Sequence, residues 1–271
     1  MLPDDQDEPI QKVFLVDLGD PDDPKLASTV ALKDADWAWG LKASGNTLYL
    51  SSYQAEVIDE QWMARYFLNR IDVTDAASPV VLTPVNIPGM FVDASPSGSI
   101  IYTSEATWDS TTYLPHNFLH ALEIAGDKAY LQSSVELPGY ANGFQVKDGA
   151  AYTVAYWWEA LPTLAAPTQW INHADLVTID LSDPKALHIA GQAKVPFDYA
   201  YLQKVDGGRA FLGSWAGIFV YDVGDIASPT FQEFFRTHGW AQDIVVRGDQ
   251  VYVPSGYYGV QVLELGTGEN P

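Results

Sequence analysis

The stretch Leu176-Val-Thr-Ile-Asp-Leu-Ser-Asp-Pro184 decides the fold of this chain. Its apolar and β-branched residues favour an extended strand, the aspartate ends that strand, and the proline cannot continue a β-ladder. The same phrase recurs along the chain with variations, and two weaker copies end in glutamate. The strand-ending acids are Asp17, Asp72, Glu123, Asp180, Asp222 and Glu264, which stand 55, 51, 57, 42 and 42 residues apart.

A repeat of about 40 to 55 residues that is rich in strand formers is typical of one four-stranded sheet of a β-propeller. Glycine turns such as Gly45-Asn46 and Asp148-Gly149 separate the first and second strands of a unit, because these residues tolerate the positive φ of a hairpin. We therefore predict an all-β propeller of four-stranded antiparallel blades over residues 13–265, with an acidic segment over 1–12 and a flexible tail over 266–271.

The number of blades follows from the strands. The repeats supply five first, five second, six third and five fourth strands, which favours five blades. One closing sheet would combine the last three strands with the strand at 26–31 and leave the strand at 13–17 as a surplus partner. A chain that begins within a unit also suits a fragment of a larger propeller, and we keep that alternative.

The recurring aspartates have a structural interpretation and a functional one. An aspartate at a strand end accepts a backbone N–H two residues further on, which forms an Asx-turn, and the later proline presets φ. Calcium binding is the alternative, because Asp-x-x-Asp recurs. The phrase lacks the glycine and the closing glutamate of an EF-hand loop, so the Asx-turn is the prediction and no metal is assigned.

Composition excludes several classes of partner. Fourteen basic and 35 acidic residues give a net charge of −21, which repels nucleic acid and anionic lipid surfaces. There is no cysteine, so disulfides and cysteine metal sites are absent. No apolar run approaches the roughly 18 residues of a spanning helix, and the acidic residues 1–12 do not resemble a secretory signal.

The leucine-, valine- and isoleucine-rich strand that ends in aspartate, followed by Asp-Pro and a second proline, resembles the LVIVD-repeat β-propellers of bacterial exported proteins. The resemblance covers 13–265 and departs from the pattern at Glu123, where Gly126-Asp127 replaces the usual turn. It implies an extracytoplasmic location (periplasm, cell surface or secreted) and a module that is usually not catalytic, acting as a monomer or as part of a longer chain. It implies no common ligand or cofactor.

The extra length of the chain lies in three inserts between second and third strands, at 52–66, 105–117 and 156–174, which we predict to be long loops. Loops on a rigid scaffold commonly carry function. The tryptophans fall in these inserts or where one unit passes to the next, which places them on one predicted face. The candidate ligand-binding residues are Trp39, Trp62, Trp108, Trp157, Trp158, Trp170, Trp215, Trp240, Tyr257 and Tyr258.

Catalytic motifs are missing: the chain has no G-x-S-x-G, H-E-x-x-H or P-loop. Histidines in the inserts beside Glu105 or Asp175 make a mixed metal site conceivable, but none has ligand spacing. The sequence therefore favours a non-catalytic binding or scaffold module that holds a protein or glycan on its aromatic face. The alternative is a polysaccharide hydrolase or lyase that uses paired carboxylates, such as Glu105 and Asp109 or Asp59 and Glu60, in a central channel.

Overall fold

The computed structural model describes residues 11–32, 35–58, 60–109, 115–161, 169–239, 241 and 243–268, without the side chains of Gln61, Trp62, Asn142, Ala160, Leu161, Gln169 and Trp170. Within these ranges the regular structure consists of β-strands and one 3-10 turn, Gly256–Tyr258. The prediction of an all-β protein is confirmed.

The strands form six antiparallel sheets, which we name A to F in chain order. Sheet A pairs β1 (Gln11–Asp17) with β2 (Lys25–Leu32). Sheet B contains β3 (Trp37–Ser44), β4 (Thr47–Ile58), β5 (Gln61–Asp72), β6 (Val80–Val81) and β7 (Val85–Asn86). Sheet C contains β8 (Met90–Ala94), β9 (Ile100–Trp108), β10 (Pro115–Ala125) and β11 (Lys128–Glu136).

The later repeats have the same strand order. Sheet D contains β12 (Tyr140–Lys147), β13 (Ala150–Leu161), β14 (Gln169–Asp180) and β15 (His188–Val195). Sheet E contains β16 (Tyr201–Asp206), β17 (Arg209–Gly213), β18 (Gly217–Asp222) and β19 (Thr230–Arg236). Sheet F contains β20 (Val245–Arg247), β21 (Gln250–Pro254) and β22 (Val260–Glu264).

Each predicted strand position holds a strand, with three local differences. The first strand predicted at 241–247 is a strand only over Val245–Arg247 among the described residues. The fourth strand expected at 80–86 is divided into β6 and β7, which flank Pro84, a residue with no N–H to donate to the ladder. The closing sheet differs from the prediction: the strand at 26–31 lies in β2, and β2 pairs with β1 from Gln11↔Leu32 to Asp17↔Lys25. Sheet F has three strands among the described residues.

The chain divides into two compact units. The first unit comprises residues 1–105 and 120–132. Its core has two clusters: Val30 and Ile71 belong to the cluster of sheets A and B, and Leu68 and Ile101 to the cluster of sheets B and C. Leu68, Ile71 and Ile101 are fully buried, so the alternating apolar positions of neighbouring sheets meet as the period of a strand requires.

The second unit comprises residues 106–119 and 133–271. Leu176, Phe219 and Tyr221 belong to the cluster between sheets D and E, and Phe211 and Val251 belong to the cluster between sheets E and F. All five side chains are at most 1% exposed. Leu176, Phe219 and Tyr221 lie on acid-terminated third strands, and Phe211 and Val251 lie on second strands. The two inner strands of the sheets therefore supply this core.

The predicted Asx-turns are confirmed. The Oδ1 atom of Asp180 accepts the backbone N–H of Ser182 at 2.8 Å. The same bond occurs at Asp17, Asp72 and Asp222, with N···O distances of 2.8, 2.9 and 2.9 Å. The second acid of each phrase forms another such turn, at Asp20, Asp75, Asp183 and Asp225.

Two of the turns that follow an acid also join neighbouring sheets. In the first unit, the Ser28 hydroxyl on β2 donates to the carbonyl of Ala76, in the turn that follows β5, at 2.6 Å. In the second unit, the Ser133 hydroxyl on β11 donates to the carbonyl of Pro184 at 2.7 Å. At these two places the repeated phrase therefore ends one strand and supplies an acceptor to the last strand of the preceding sheet.

Removing one of these turns is expected to cost modest stability. The backbone N–H and the hydroxyl of Ser182 hold the pKa of Asp180 below its usual value. We expect Asp180→Ala to lower the free energy of unfolding by about 1 kcal/mol at pH 7, and Asp180→Asn, which keeps an acceptor oxygen, to cost less. Urea denaturation at several pH values measures both effects.

The sign of the pH dependence follows from the lowered pKa. The contribution of Asp180 is complete above the ordinary aspartate pKa of about 4 and is lost as the pH falls through the lower pKa of the folded state. The wild type and Asp180→Ala should therefore converge in stability at strongly acidic pH. A gap that stays constant down to that pH would contradict this role of the carboxylate.

Two first strands are preceded by a Pro-Gly step, Pro88-Gly89 and Pro138-Gly139. A Cβ atom at Gly139 would lie 2.1 Å from the carbonyl oxygen of Tyr156. A Cβ atom at Gly89 would lie 2.1 Å from the carbonyl oxygen of Ser104. Glycine thus allows the chain to pass against the second strand of the sheet that it is about to enter.

Candidate functional site

The predicted loops at 52–66 and 156–174 form hairpin arms instead. β4 and β5 pair from Thr47↔Asp72 to Ile58↔Gln61, and β13 and β14 pair from Ala150↔Asp180 to Leu161↔Gln169. The loop prediction was wrong there because the strand pairing continues past the core. Beyond the core, an alternation of apolar and polar residues no longer marks the strands in the sequence. We call the end of each sheet where the second strand turns into the third its hairpin edge; the connection to the next sheet's first strand starts from this edge.

In the first unit, Trp39 is part of an aromatic cluster at the hairpin edge of sheet B. Its ring centroid lies 5.7 Å from that of Tyr53 and 6.3 Å from that of Tyr66, and both contacts are edge-to-face. Its Nε1 donates to the sulfur of Met90 at 3.1 Å. The half-buried indole of Trp39 therefore packs the hairpin. Trp62 lies on β5 opposite Val57.

In the second unit, Trp157 is held by two side chains. It stacks on His173 with the ring centroids 4.0 Å apart and an interplanar angle of 20°. Its Nε1 donates to Oδ2 of the buried Asp175 at 2.9 Å. His173 Nε2 lies 3.1 Å from Oε2 of Glu159. Trp158 follows directly on the strand and is directed to the opposite face of the sheet, where it is half-buried.

A cavity of about 250 Å³ lies next to this stack. His173, Asp175, Lys194 and Phe197 contribute to its lining. Carboxylate oxygens beside an aromatic ring can accept hydrogen bonds from hydroxyl or ammonium groups of a ligand. The arrangement suits the binding of a ligand that carries such groups.

Four of the candidate residues are exposed, and all four lie at hairpin edges of the second unit. Trp108 and Trp215 are 62% and 66% exposed, and Tyr258 is 70% exposed. Tyr257 extends fully into solvent from the turn between β21 and β22. The ring of Trp215 contacts Phe197, with the ring centroids 5.2 Å apart.

The candidate residues therefore divide into two groups. Trp39, Trp157 and Trp158 are half-buried, and the first two have internal hydrogen-bond partners. The exposed group comprises Trp108, Trp215, Tyr257 and Tyr258. The side chains of Trp62 and Trp170 and the whole of Trp240 lie outside the described residues.

Sequence reasoning missed an exposed apolar group on the arm of sheet B. Val57, Ile58 and Met63 are 59%, 48% and 51% exposed. They stand on both strands of the β4–β5 hairpin near its turn. The available signal in the sequence was the pair of apolar dipeptides Val57-Ile58 and Trp62-Met63 within an otherwise polar insert.

One candidate carboxylate, Glu105, and one further carboxylate, Glu136, are paired with histidines. Glu105 Oε2 lies 3.2 Å from Nε2 of the buried His120, and Glu136 Oε1 lies 2.6 Å from Nδ1 of His116. Asp59 lies outside the described residues. Within the part of the chain that the structure describes, no three His, Asp or Glu side chains form a group suited to a metal.

Comparisons with known proteins identify the fold. No family model matches the sequence, and no curated protein matches it. The chain is similar to the structure of an acylaminoacyl peptidase in complex with Z-Gly-Gly-Phe-chloromethyl ketone, with a TM-score of 0.55 and 10% identity over 85% of this chain and 38% of the other. It is also similar to the acylaminoacyl peptidase of Pyrococcus horikoshii, with a TM-score of 0.52 and 11% identity over 86% of this chain and 38% of the other.

The chain thus spans about two fifths of the length of these peptidases. Sequence identity at this level supports a shared architecture but not a shared activity. Among the described residues, no helix is long and apolar enough to cross a bilayer. The sheets, their repeated strand order and these likenesses agree on an all-β fold of the β-propeller type.

Proposed function

We propose that the protein is a non-catalytic binding or scaffold module that holds a protein or a glycan through aromatic side chains at its hairpin edges. The exposure of Trp108, Trp215, Tyr257 and Tyr258 carries the proposal. Large aromatic side chains are usually buried, and rigid aromatic rings supply much contact area with few rotatable bonds.

Two further features support a binding role. The exposed aromatics stand on turns and strand ends of a rigid β scaffold, which is where binding residues commonly lie. Asp175, which accepts a hydrogen bond from the half-buried Trp157, lines a polar cavity in the same unit. The resemblance to LVIVD-repeat propellers adds that the module acts outside the cytoplasm, at the cell surface, in the periplasm or as a secreted protein.

Truncation of the exposed aromatics should weaken binding without loss of stability. We expect Trp215→Ala, and Tyr257→Ala combined with Tyr258→Ala, to weaken the affinity for a captured partner at least tenfold, or about 1.4 kcal/mol. Their melting temperatures should stay near the wild-type value because these rings are exposed. A glycan array and a protein pull-down first identify the partner, and titration with the purified partner then measures the affinities.

Tyr130→Ala is the matched control, because Tyr130 is also half-exposed but lies on β11 in the first unit. It should leave the affinity unchanged. Equal affinity of the wild type and both aromatic variants for the identified partner would refute the proposal.

A further inference from the structure

A groove of about 280 Å³ in the first unit has the chemistry of a site for a long cationic side chain. It runs between the arm of sheet B and the segment Ile87–Gly89. Ile58 and Met63 line one side of it, and Pro88 lines the other. These side chains give the groove apolar walls along which methylene groups can be buried.

Glu105 and Tyr66 add a polar end to this groove. Glu105 is 39% exposed and binds His120 through Oε2, so its second oxygen can accept a hydrogen bond from a ligand. The other acid of the groove, Glu56, is already paired with Arg65 at 3.0 Å. Among the described residues, Glu105 has no lysine or arginine partner.

We infer that this groove binds a lysine or arginine side chain of a basic polypeptide partner. The apolar walls hold the aliphatic stem, Glu105 accepts the charged head, and the ring of Tyr66 offers a cation–π contact. The net charge of −21 attracts such a partner and repels acidic ones. The inference rests on the proposed binding function and names the class of partner for the first unit.

Burial and the neighbouring Tyr53 and Glu105 raise the pKa of Tyr66. The phenol therefore stays neutral at physiological pH and presents an uncharged ring to an entering cation. An entering ammonium or guanidinium group would pair with Glu105 in a half-buried setting, where the interaction is stronger than at an open surface.

The test uses blocked peptides with one central residue among glycines and serines, titrated against the full chain by ligand-observed NMR. The central residue is lysine, arginine or the uncharged norleucine. We expect the lysine and arginine peptides to bind at least fivefold more tightly than the norleucine peptide. Glu105→Gln, which can still accept a hydrogen bond from His120, should remove that preference.

Glu136→Gln is the matched control, because Glu136 is also paired with a histidine but lies in the second unit. It removes the same charge and should leave peptide affinity unchanged. Met63→Ser should weaken the binding of the lysine peptide without lowering the melting temperature of the protein, because Met63 is half-exposed. Equal weakening by Glu105→Gln and Glu136→Gln would reveal attraction to the net charge alone and would overturn the inference.

The peptide test is independent of the aromatic variants of the second unit. If peptides fail to bind while Trp215→Ala abolishes capture of a partner, the groove inference fails and the binding function stands. If the lysine preference depends on Glu105 but both aromatic variants bind the partner normally, the groove inference stands and the aromatic proposal fails.

Discussion

Gly139→Ala is expected to destabilise the protein by about 3 kcal/mol or to prevent folding. The added Cβ would lie 2.1 Å from the carbonyl oxygen of Tyr156 and 3.0 Å from the Cβ of Trp157. Gly139 is buried, and its neighbours belong to β13, which is hydrogen-bonded to strands on both sides. The strain cannot be relieved by a rotamer change, because a backbone atom would have to move.

Gly239→Ala is the matched control for this prediction. Gly239 precedes sheet F as Gly139 precedes sheet D, but its nearest neighbour, the carbonyl oxygen of Ser255, would lie 3.6 Å from the new Cβ. We expect its free energy of unfolding to change by less than about 1 kcal/mol. Urea denaturation of both variants provides the comparison, and equal losses would show that the close approach to Tyr156 is not the cause.

The repeat made the fold predictable because each local signal agreed with the global one. Apolar strands ending at Asp72 and Asp180 were found to end there, and both acids formed the expected turns. An Asx-turn involves residues two positions apart, so a sequence contains all the information that the turn requires. The strand order within each sheet followed because consecutive strands joined by short turns pair with each other.

The environment of each tryptophan was not predictable in this way. Trp157 and Trp158 are adjacent in the sequence, yet one bonds to Asp175 and stacks on His173 while the other faces the opposite side of the sheet. The difference depends on the register of β13 against β14 beyond the core. Trp157 and Trp158 are only half-buried, so neither face of the ladder is fully buried at these two residues, and buried faces are what specify register in a sequence pattern.

The close approach at Gly139 was also missed. Pro88-Gly89 and Pro138-Gly139 occupy the same place before two first strands. Gly89 has a positive φ of 67°, which alone would favour glycine. At Gly139 the cause is the carbonyl of Tyr156, a contact over many residues that no local pattern encodes.

Tyr221→Phe is expected to change the response of the protein to alkaline pH. The Tyr221 ring is fully buried, and its hydroxyl donates to the carbonyl of Lys194 at 2.8 Å. Burial, followed by the charge of Asp175, raises the pKa of Tyr221 well above its usual value. The folded state therefore holds this proton while the unfolded state releases it above the ordinary tyrosine pKa of about 10.

The contribution of Tyr221 is thus complete below pH 10 and is lost as the pH rises toward the higher pKa of the folded state, at about 1.4 kcal/mol per pH unit. At pH 7, Tyr221→Phe should be about 1 kcal/mol less stable than the wild type, because the Lys194 carbonyl loses its donor. Between pH 10 and 12 the stability of Tyr221→Phe should fall less steeply than that of the wild type, so the two curves of stability against pH approach and cross.

Chemical denaturation at intervals from pH 7 to 12 measures both effects. Tyr252→Phe serves as the control, because the Tyr252 hydroxyl bonds to the side chain of Gln250 in an exposed setting. Its curve should parallel that of the wild type throughout. If Tyr221→Phe also runs parallel to the wild type above pH 10, the Tyr221 proton is not retained by the folded core, and the alkaline loss of stability has its origin in other tyrosines.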